Sequence, residues 1–289
     1  VVEPASVVER SRDPWTPKLV ALDIDGTLLI PDFEHGFSTE VVTPAVTDAV
    51  LAAAAAGAHV VLASGRAPLS MAQVADRLGL TALVAELTGE RLHIVASNGS
   101  VVFRHAPTEV VHEVTFDASE AVRTVLAHVP GAAVAVEEHG IGYRVNRLFP
   151  PGELDGEMII CDIDEMISTD VSRVIIRDPD STSEDFVNLA RQLGLHGTNY
   201  FIGWTAWLDL APEGVSKASG LAWVCRDLGI DAADVLAIGD GRNDIEMLTW
   251  AHRGVAMGQG PQVVRDAADH VTGTVHEDGA ATELRTYFT

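Results

Sequence analysis

The chain is poor in cysteine, poor in positive charge and free of long apolar runs. Cys161 and Cys225 are its two cysteines, far apart and in no CxxC pairing. That spacing argues against a disulfide framework or a cysteine zinc site and leaves two reduced thiols. Lysine and arginine number 19 against 42 aspartates and glutamates, a formal net charge of −23. So acidic a chain lacks the basic face that displaces counterions from nucleic acid, and anionic membrane surfaces repel it. A local anion site can still exist in this field where a divalent cation is recruited to it. No uninterrupted apolar segment approaches the roughly 20 residues that span a bilayer. The run at 19–30 is broken by Asp23 and Asp25, and the run at 51–56 is short and mostly alanine. Residues 1–17 mix charge with proline, lack the apolar centre of a signal peptide, and read as a loose N-terminal arm. The expectation is a cytoplasmic protein that binds neither nucleic acid nor membrane.

At 289 residues the chain is long enough for two domains and a full core. Its first part alternates in type. Lys18–Leu22 (KLVAL) predicts a buried strand ending at Asp23. Residues 41–56 predict a helix, with Pro44 in its first turn and Gly57 as its stop. HVVLASGR then gives a second buried strand, ending in Ser64-Gly65-Arg66, and Pro68–Leu78 a helix stopped by Gly79. The C-terminal part repeats the pattern. It has a helix at Ser216–Leu228, a strand at Asp234–Ile238, a helix at Asp244–Trp250, a strand at Arg253–Met257 and a helix at Pro261–Ala268. Together the ends predict one doubly wound, mostly parallel (Rossmann-like) α/β sheet.

The middle follows another grammar. From Ser100 to Trp207 the β-rich pieces are VVFRH, GAAVAVEE, GYRVNRLF and SRVIIRD, with helical stretches at Ser119–Ala127 and Ser183–Leu193. Pro150–Asp164 reads as an acidic surface loop. The predicted organisation is a core of residues 18–99 and 208–289, interrupted by an α+β cap at 100–207.

Four constellations carry chemistry, each at a strand end or the start of the next helix, where open α/β sheets place their sites. Asp23-Ile24-Asp25-Gly26-Thr27 puts two carboxylates on one turn: one can attack, the other can handle protons, and the pair suits a hard cation such as Mg²⁺. Ser64-Gly65-Arg66 offers a hydroxyl and backbone N–H groups to an anion, with Arg66 free to pair with an acid. Lys217, in Gly214-Val215-Ser216-Lys217, offers a point charge to a phosphoryl oxygen. Gly239-Asp240-Gly241-Arg242-Asn243-Asp244 adds two carboxylates and an amide in a glycine-rich turn.

The ordered set resembles the haloacid dehalogenase superfamily of phosphohydrolases, in its Cof-like, cap-type IIB branch. Asn98-Gly99 and Glu277-Asp278-Gly279 match it too, and the likeness covers about residues 18–282. Gly258-Gln259-Gly260 departs from it, since the family usually has Asn-Ala after that glycine. The resemblance implies Asp23 as a nucleophile forming an aspartyl-phosphate, and Asp25 as general acid and base. It implies Mg²⁺ held by Asp23, Asp25 (through its backbone carbonyl) and Asp240. Phosphate would be bound by the Ile24 backbone, Ser64, Gly65, Lys217 and Asn243, with Thr27 and Asp244 in support. Candidate substrate contacts in the cap are Arg144, His139 and Trp204, alongside Glu138, Tyr143 and Trp207. The implied activity is a phosphatase for a small phosphorylated metabolite, a sugar phosphate first, in a monomer or homodimer. A phosphomutase would carry the same core motifs, and a phospho-ligand sensor is the non-enzymatic alternative.

Overall fold

The computed structural model describes residues 15–30, 41–178, 182, 198–202 and 207–289. The first sheet is built from β1 (Leu19–Leu22), β2 (His59–Ala63), β3 (Leu92–Ala96), β4 (Val101–His105), β5 (Glu109–Glu113), β12 (Val235–Gly239), β13 (Arg253–Ala256) and β14 (His270–Val271). Their order across the sheet is β14-β13-β12-β1-β2-β3-β4-β5. Strands β14 through β3 run parallel, while β4 and β5 add an antiparallel edge. The chain winds outward from β1 to one side and later from β12 to the other. The direction of winding therefore switches at β1 and β12, where such sheets open a crevice at their carboxyl ends.

Side-chain alternation explains why helices cover both faces. Val20 and Leu22 point into one apolar cluster, Leu19 and Ala21 into the other, and all four are fully buried. On the first face pack α1 (Pro44–Ala55), α2 (Pro68–Arg77), α3 (Leu80–Thr88) and α9 (Gly279–Leu284). On the second lie α6 (Lys217–Leu228), α7 (Ile245–Trp250) and α8 (Gln262–Ala267). Each fully buried aliphatic side chain contributes about 1.5–3 kcal/mol relative to exposure. Local signals set the helix ends: Thr43 Oγ1 accepts from Val46 N–H at 3.2 Å, and Gly57 follows α1 at φ +92°.

A second sheet lies in the middle of the chain, in the order β10-β11-β9-β6-β7-β8. Its strands are β6 (Ala133–Glu138), β7 (Gly142–Val145), β8 (Glu157–Ile160), β9 (Val174–Arg177), β10 (Thr198–Ile202) and β11 (Trp207–Pro212). All its pairs are antiparallel except β7 with β8. Helices α4 (Ser119–His128) and α5 (Ile163–Met166) contribute Val122, Val125 and Met166 to the core on one face. The other face carries Ala133, Ala135, Tyr143, Val145, Ile175 and Trp207, packed with Ala67 at the start of α2.

Several expectations are corrected. Val101–His105 hydrogen-bonds to β3 and belongs to the first sheet, so the inserted sheet begins only after Glu113. Pro150–Asp164 is not all loop: it contains β8, which gains order by pairing in parallel with β7. The helix α3 and strand β3, at 80–96, have no counterpart in the sequence reading; Gly79 ends α2 as expected and, at φ +73°, leads directly into α3. The N-terminal arm is anchored at its end, where Trp15 donates to the Ala233 carbonyl at 3.0 Å and meets His252 and Tyr287. The expected helix at Ser183–Leu193 and the residue Trp204 lie outside the described residues.

Candidate active site

The four motif segments converge at the carboxyl ends of β1, β2 and β12. Asp23 follows β1, Ser64 follows β2, Asp240 follows β12, and Lys217 opens α6. Lys217 reaches that place because Ser216 caps the helix through a reciprocal pair of bonds with Ser219. Its Nζ lies 2.7 Å from Asp23 Oδ1 and 2.6 Å from Asp244 Oδ1, with the side chain 1% exposed. Thr27 Oγ1 donates to Asp23 Oδ2 at 3.2 Å. The second oxygen of Asp244 accepts from the backbone N–H groups of Asp240 and Gly241, at 2.9 and 2.8 Å. Asp244 thus holds both the ammonium and the turn that carries Asp240.

Close approach dictates Gly26. It sits at φ +79°, and a Cβ there would fall 2.2 Å from Asp240 Oδ2. The carbonyl of Ile24, which accepts from the N–H groups of Thr27, Leu28 and Leu29, closes the same turn. Ser64 is buried, and its Oγ accepts from Arg66 N–H at 3.3 Å. Arg66 forks Asp25, Nε to Oδ2 at 2.8 Å and Nη2 to Oδ1 at 2.5 Å. The expected partner acid of Arg66 is therefore Asp25, whose side chain is half exposed.

Carboxylates outnumber cations here. Oxygens of Asp23, Asp240 and Asp244 lie within 4.8 Å of one another, facing the single ammonium of Lys217. Burial pushes Asp23 well above the ordinary carboxylate range, and Asp244, Asp240 and Asp25 push it further against the pull of Lys217. Burial, with Asp244 beside it, pushes Asp240 up to about 7. Burial also works against the charge of Lys217, but Asp23 and Asp244 outweigh it and hold the ammonium above its usual range. Hard oxygen donors carrying surplus negative charge fit a divalent cation such as Mg²⁺, whose charge would reverse the upward shift of the acids.

Not every expected residue joins the cluster. Asn243 lies beside it and donates from Nδ2 to Asn98 Oδ1 at 2.9 Å. Arg144 is turned away: it pairs in register with Val136, which faces the helix-covered core. There it meets Glu138 at 2.9 Å and the Glu165 carbonyl at 3.5 Å. His139 lies between Glu113 of β5, at 2.6 Å, and Glu137 of β6, at 3.4 Å. Its close contact with the Glu137 carboxylate outweighs burial and, with Glu113, pushes it up to about 9.

Some residues at the site are not singled out by sequence reading. Gln259, the departure from the family pattern, donates to the Gly26 carbonyl at 2.5 Å and reaches Asp240 Oδ2 at 3.4 Å. Arg173, Asp209 and Glu137 are buried polar residues on the site-facing side of the second sheet. The signal for them is alternation: Arg173 shares a strand face with Ile175, and Asp209 with Trp207.

Comparison with known proteins accords with this geometry. The chain is 27% identical over 282 residues to the 5-amino-6-(5-phospho-D-ribitylamino)uracil phosphatase YitU of Bacillus subtilis, covering 94% of this chain and 98% of that protein. The structure of the phosphatase BT1666 from Bacteroides thetaiotaomicron matches with a TM-score of 0.71 at 27% identity, over 98% of this chain and 99% of that one. The subclass IIB sugar phosphatase BT4131 shares the fold, with a TM-score of 0.75 at 23% identity over 93% and 98% of the two chains. The family model for haloacid dehalogenase-like hydrolase matches residues 20–284, and the chain belongs to that family.

Proposed function

We propose that this phosphatase is Mg²⁺-dependent and hydrolyses a small phosphomonoester through an aspartyl-phosphate on Asp23. The observation that carries this reading is the buried cluster of Asp23, Lys217, Asp240 and Asp244 at the switch point of the sheet. Asp23, with Lys217 and Thr27 fixing its two oxygens, is aligned as a nucleophile. Its oxygen attacks phosphorus, the ester P–O bond breaks, and Asp25 gives its proton to the leaving alkoxide. Asp25 then takes a proton from the water that attacks phosphorus, which releases phosphate and restores the Asp23 carboxylate. Lys217, Ser64, the Gly65 and Ile24 backbone, and Asn243 grip the transferring oxygens. Asp23, Asp240 and the backbone carbonyl of Asp25 would hold Mg²⁺, which would supply positive charge to offset that of the carboxylates and the phosphoryl group.

The second sheet serves as the lid, excluding water and selecting the leaving group. Its site-facing side combines Tyr143, Glu137, Arg173 and Asp209 with Trp207 and Phe149. Such a face suits a hydroxylated carbon chain. The ribityl phosphate named for YitU and the sugar phosphate named for BT4131 both have one, so a sugar or polyol phosphate is the proposed substrate class.

Phosphate release from a panel of sugar, polyol, cofactor and nucleotide monophosphates tests this reading. Release with Mg²⁺ that disappears with EDTA and with Asp23→Asn is the expected result. An isomerised monophosphate in place of free phosphate would make the enzyme a mutase. Stable binding without turnover would make it a sensor.

A further inference from the structure

Between the lid and the catalytic loops runs a chain of polar side chains, three of them buried, that ends on Asn243. Arg173 of the lid forks Asp209 of β11, Nε to Oδ1 and Nη2 to Oδ2, both at 2.8 Å. Asp209 Oδ2 also accepts from Asn98 Nδ2 at 3.2 Å. Asn98 Oδ1 accepts in turn from Asn243 Nδ2 at 2.9 Å. Arg173, Asp209 and Asn98 are 6%, 7% and 2% exposed.

The corner that holds Asn98 is fixed on every side. Asn98 N–H donates to the Ser64 carbonyl at 3.0 Å, and Ser97 N–H to the Arg66 carbonyl at 2.9 Å. Ser97 Oγ donates to Glu137 of the lid at 2.7 Å. A Cβ on Gly65 would fall 3.0 Å from the Asn98 amide, and one on Gly99 would fall 2.0 Å from the Ser216 carbonyl. The corner therefore touches the segments that carry Ser64, Lys217 and Asn243.

Chemistry gives the chain of bonds a direction. A carboxylate only accepts and a guanidinium only donates. With Arg173 locked onto Asp209, Asn98 must aim its NH₂ at Asp209 and its carbonyl at Asn243. Asn243 must answer with its own NH₂, which leaves the second hydrogen of that nitrogen to donate elsewhere.

We propose that Asp209 is a positioning residue that sets the amide orientation of Asn98 and, through it, of Asn243. The inference rests on the phosphate-gripping role proposed above for Asn243. Asparagine at position 209 would break the direction of the chain. With its NH₂ at the Oδ2 place it meets the NH₂ of Asn98 and turns the two downstream amides over; with its NH₂ at the Oδ1 place it meets Arg173 Nε instead and loosens the fork that fixes the side chain.

The test uses the full chain with Mg²⁺, p-nitrophenyl phosphate as substrate and inorganic phosphate as competing ligand. Asp209→Asn is expected to lose about 10-fold or more in kcat/KM, less than the roughly 100–1,000-fold lost when an oriented donor is removed outright. Inhibition by phosphate should weaken in parallel. The double variant with Asn243→Ala should be no worse than Asn243→Ala alone, because both changes remove one contact. Asn98→Gly, which tolerates the φ of +53° at that position and leaves the Arg173–Asp209 pair intact, should behave in the same way and serves if Asp209→Asn does not fold. Effects that multiply in the double variant would overturn the proposal. A second readout is independent of turnover. The side-chain NH₂ resonance of Asn243, assigned by its loss in Asn243→Ala, should move in Asp209→Asn and in Asn98→Gly. An unmoved resonance in a folded variant overturns the inference. A moved resonance in a protein whose wild type releases no phosphate sustains the orienting role and sinks the phosphatase reading.

Discussion

Removing the charge of Asp23 separates its catalytic from its structural contribution. The carboxylate is buried among Asp244, Asp240 and Asp25, so its charge is held at a cost to the fold. Asp23→Asn should abolish phosphate release yet raise the thermal midpoint in EDTA, by ~2–4 °C for each kcal/mol of repulsion removed. A lowered midpoint in a thermal scan would mean that Lys217 needs the Asp23 charge more than Asp23 suffers from its neighbours. At this scale the sequence was most legible at strand ends, where Asp23, Ser64 and Asp240 each follow an apolar run. Lys217 and Asp244 were legible as motif members, and the structure shows them in direct contact. Arg144 was misplaced because a strand sends alternate residues to opposite faces, and only the register tells which face looks at the site. Gln259, legible only as a departure from the family pattern, bridges Gly26, Asp240 and Val275.

The connections between elements account for two further expectations. His139, at the end of β6, links the lid to Glu113 of the core sheet. Glu137, Glu113 and His139 itself are the charged groups at that contact, with Arg173 behind Glu137 at 3.7 Å. The histidine binds its proton more tightly folded than unfolded. The stability it contributes is complete below its ordinary value near 6.5 and is lost as pH rises through about 9. The thermal midpoint should therefore fall between pH 7 and 10, and His139→Gln should flatten that fall. Gly99 joins β3 and β4 at φ +99°, with the Ser216 carbonyl in the space a Cβ would need. Gly99→Ala should cost about 2–3 kcal/mol in urea unfolding and lower activity by displacing the N-terminus of α6. The parallel units were readable because strand, helix and glycine stop recur in order. The boundary of the insertion was not, because β4 and β5 are antiparallel hairpin strands like those of the lid. Only pairing assigns them to the core sheet.

At the scale of the whole molecule, the fold brings residues more than two hundred positions apart to the one point where winding reverses. Asp23 and Asp240 arrive there from neighbouring strands, with surplus negative charge that a divalent ion would offset. Mg²⁺ should therefore stabilise the wild type by about 2.7 kcal/mol at a hundredfold excess over its dissociation constant. Titration with thermal scans checks this, and the stabilisation should shrink in Asp240→Asn. The central claim is that phosphate passes through Asp23. Its most direct test is to mix the enzyme with a ³²P-labelled substrate, quench in acid within the first turnover, and look for label on the protein. The account predicts labelled protein that loses its label to hydroxylamine, with the label on the Asp23 peptide and none in Asp23→Asn. Full-rate phosphate release with no labelled protein, and turnover surviving in Asp23→Asn, would contradict it.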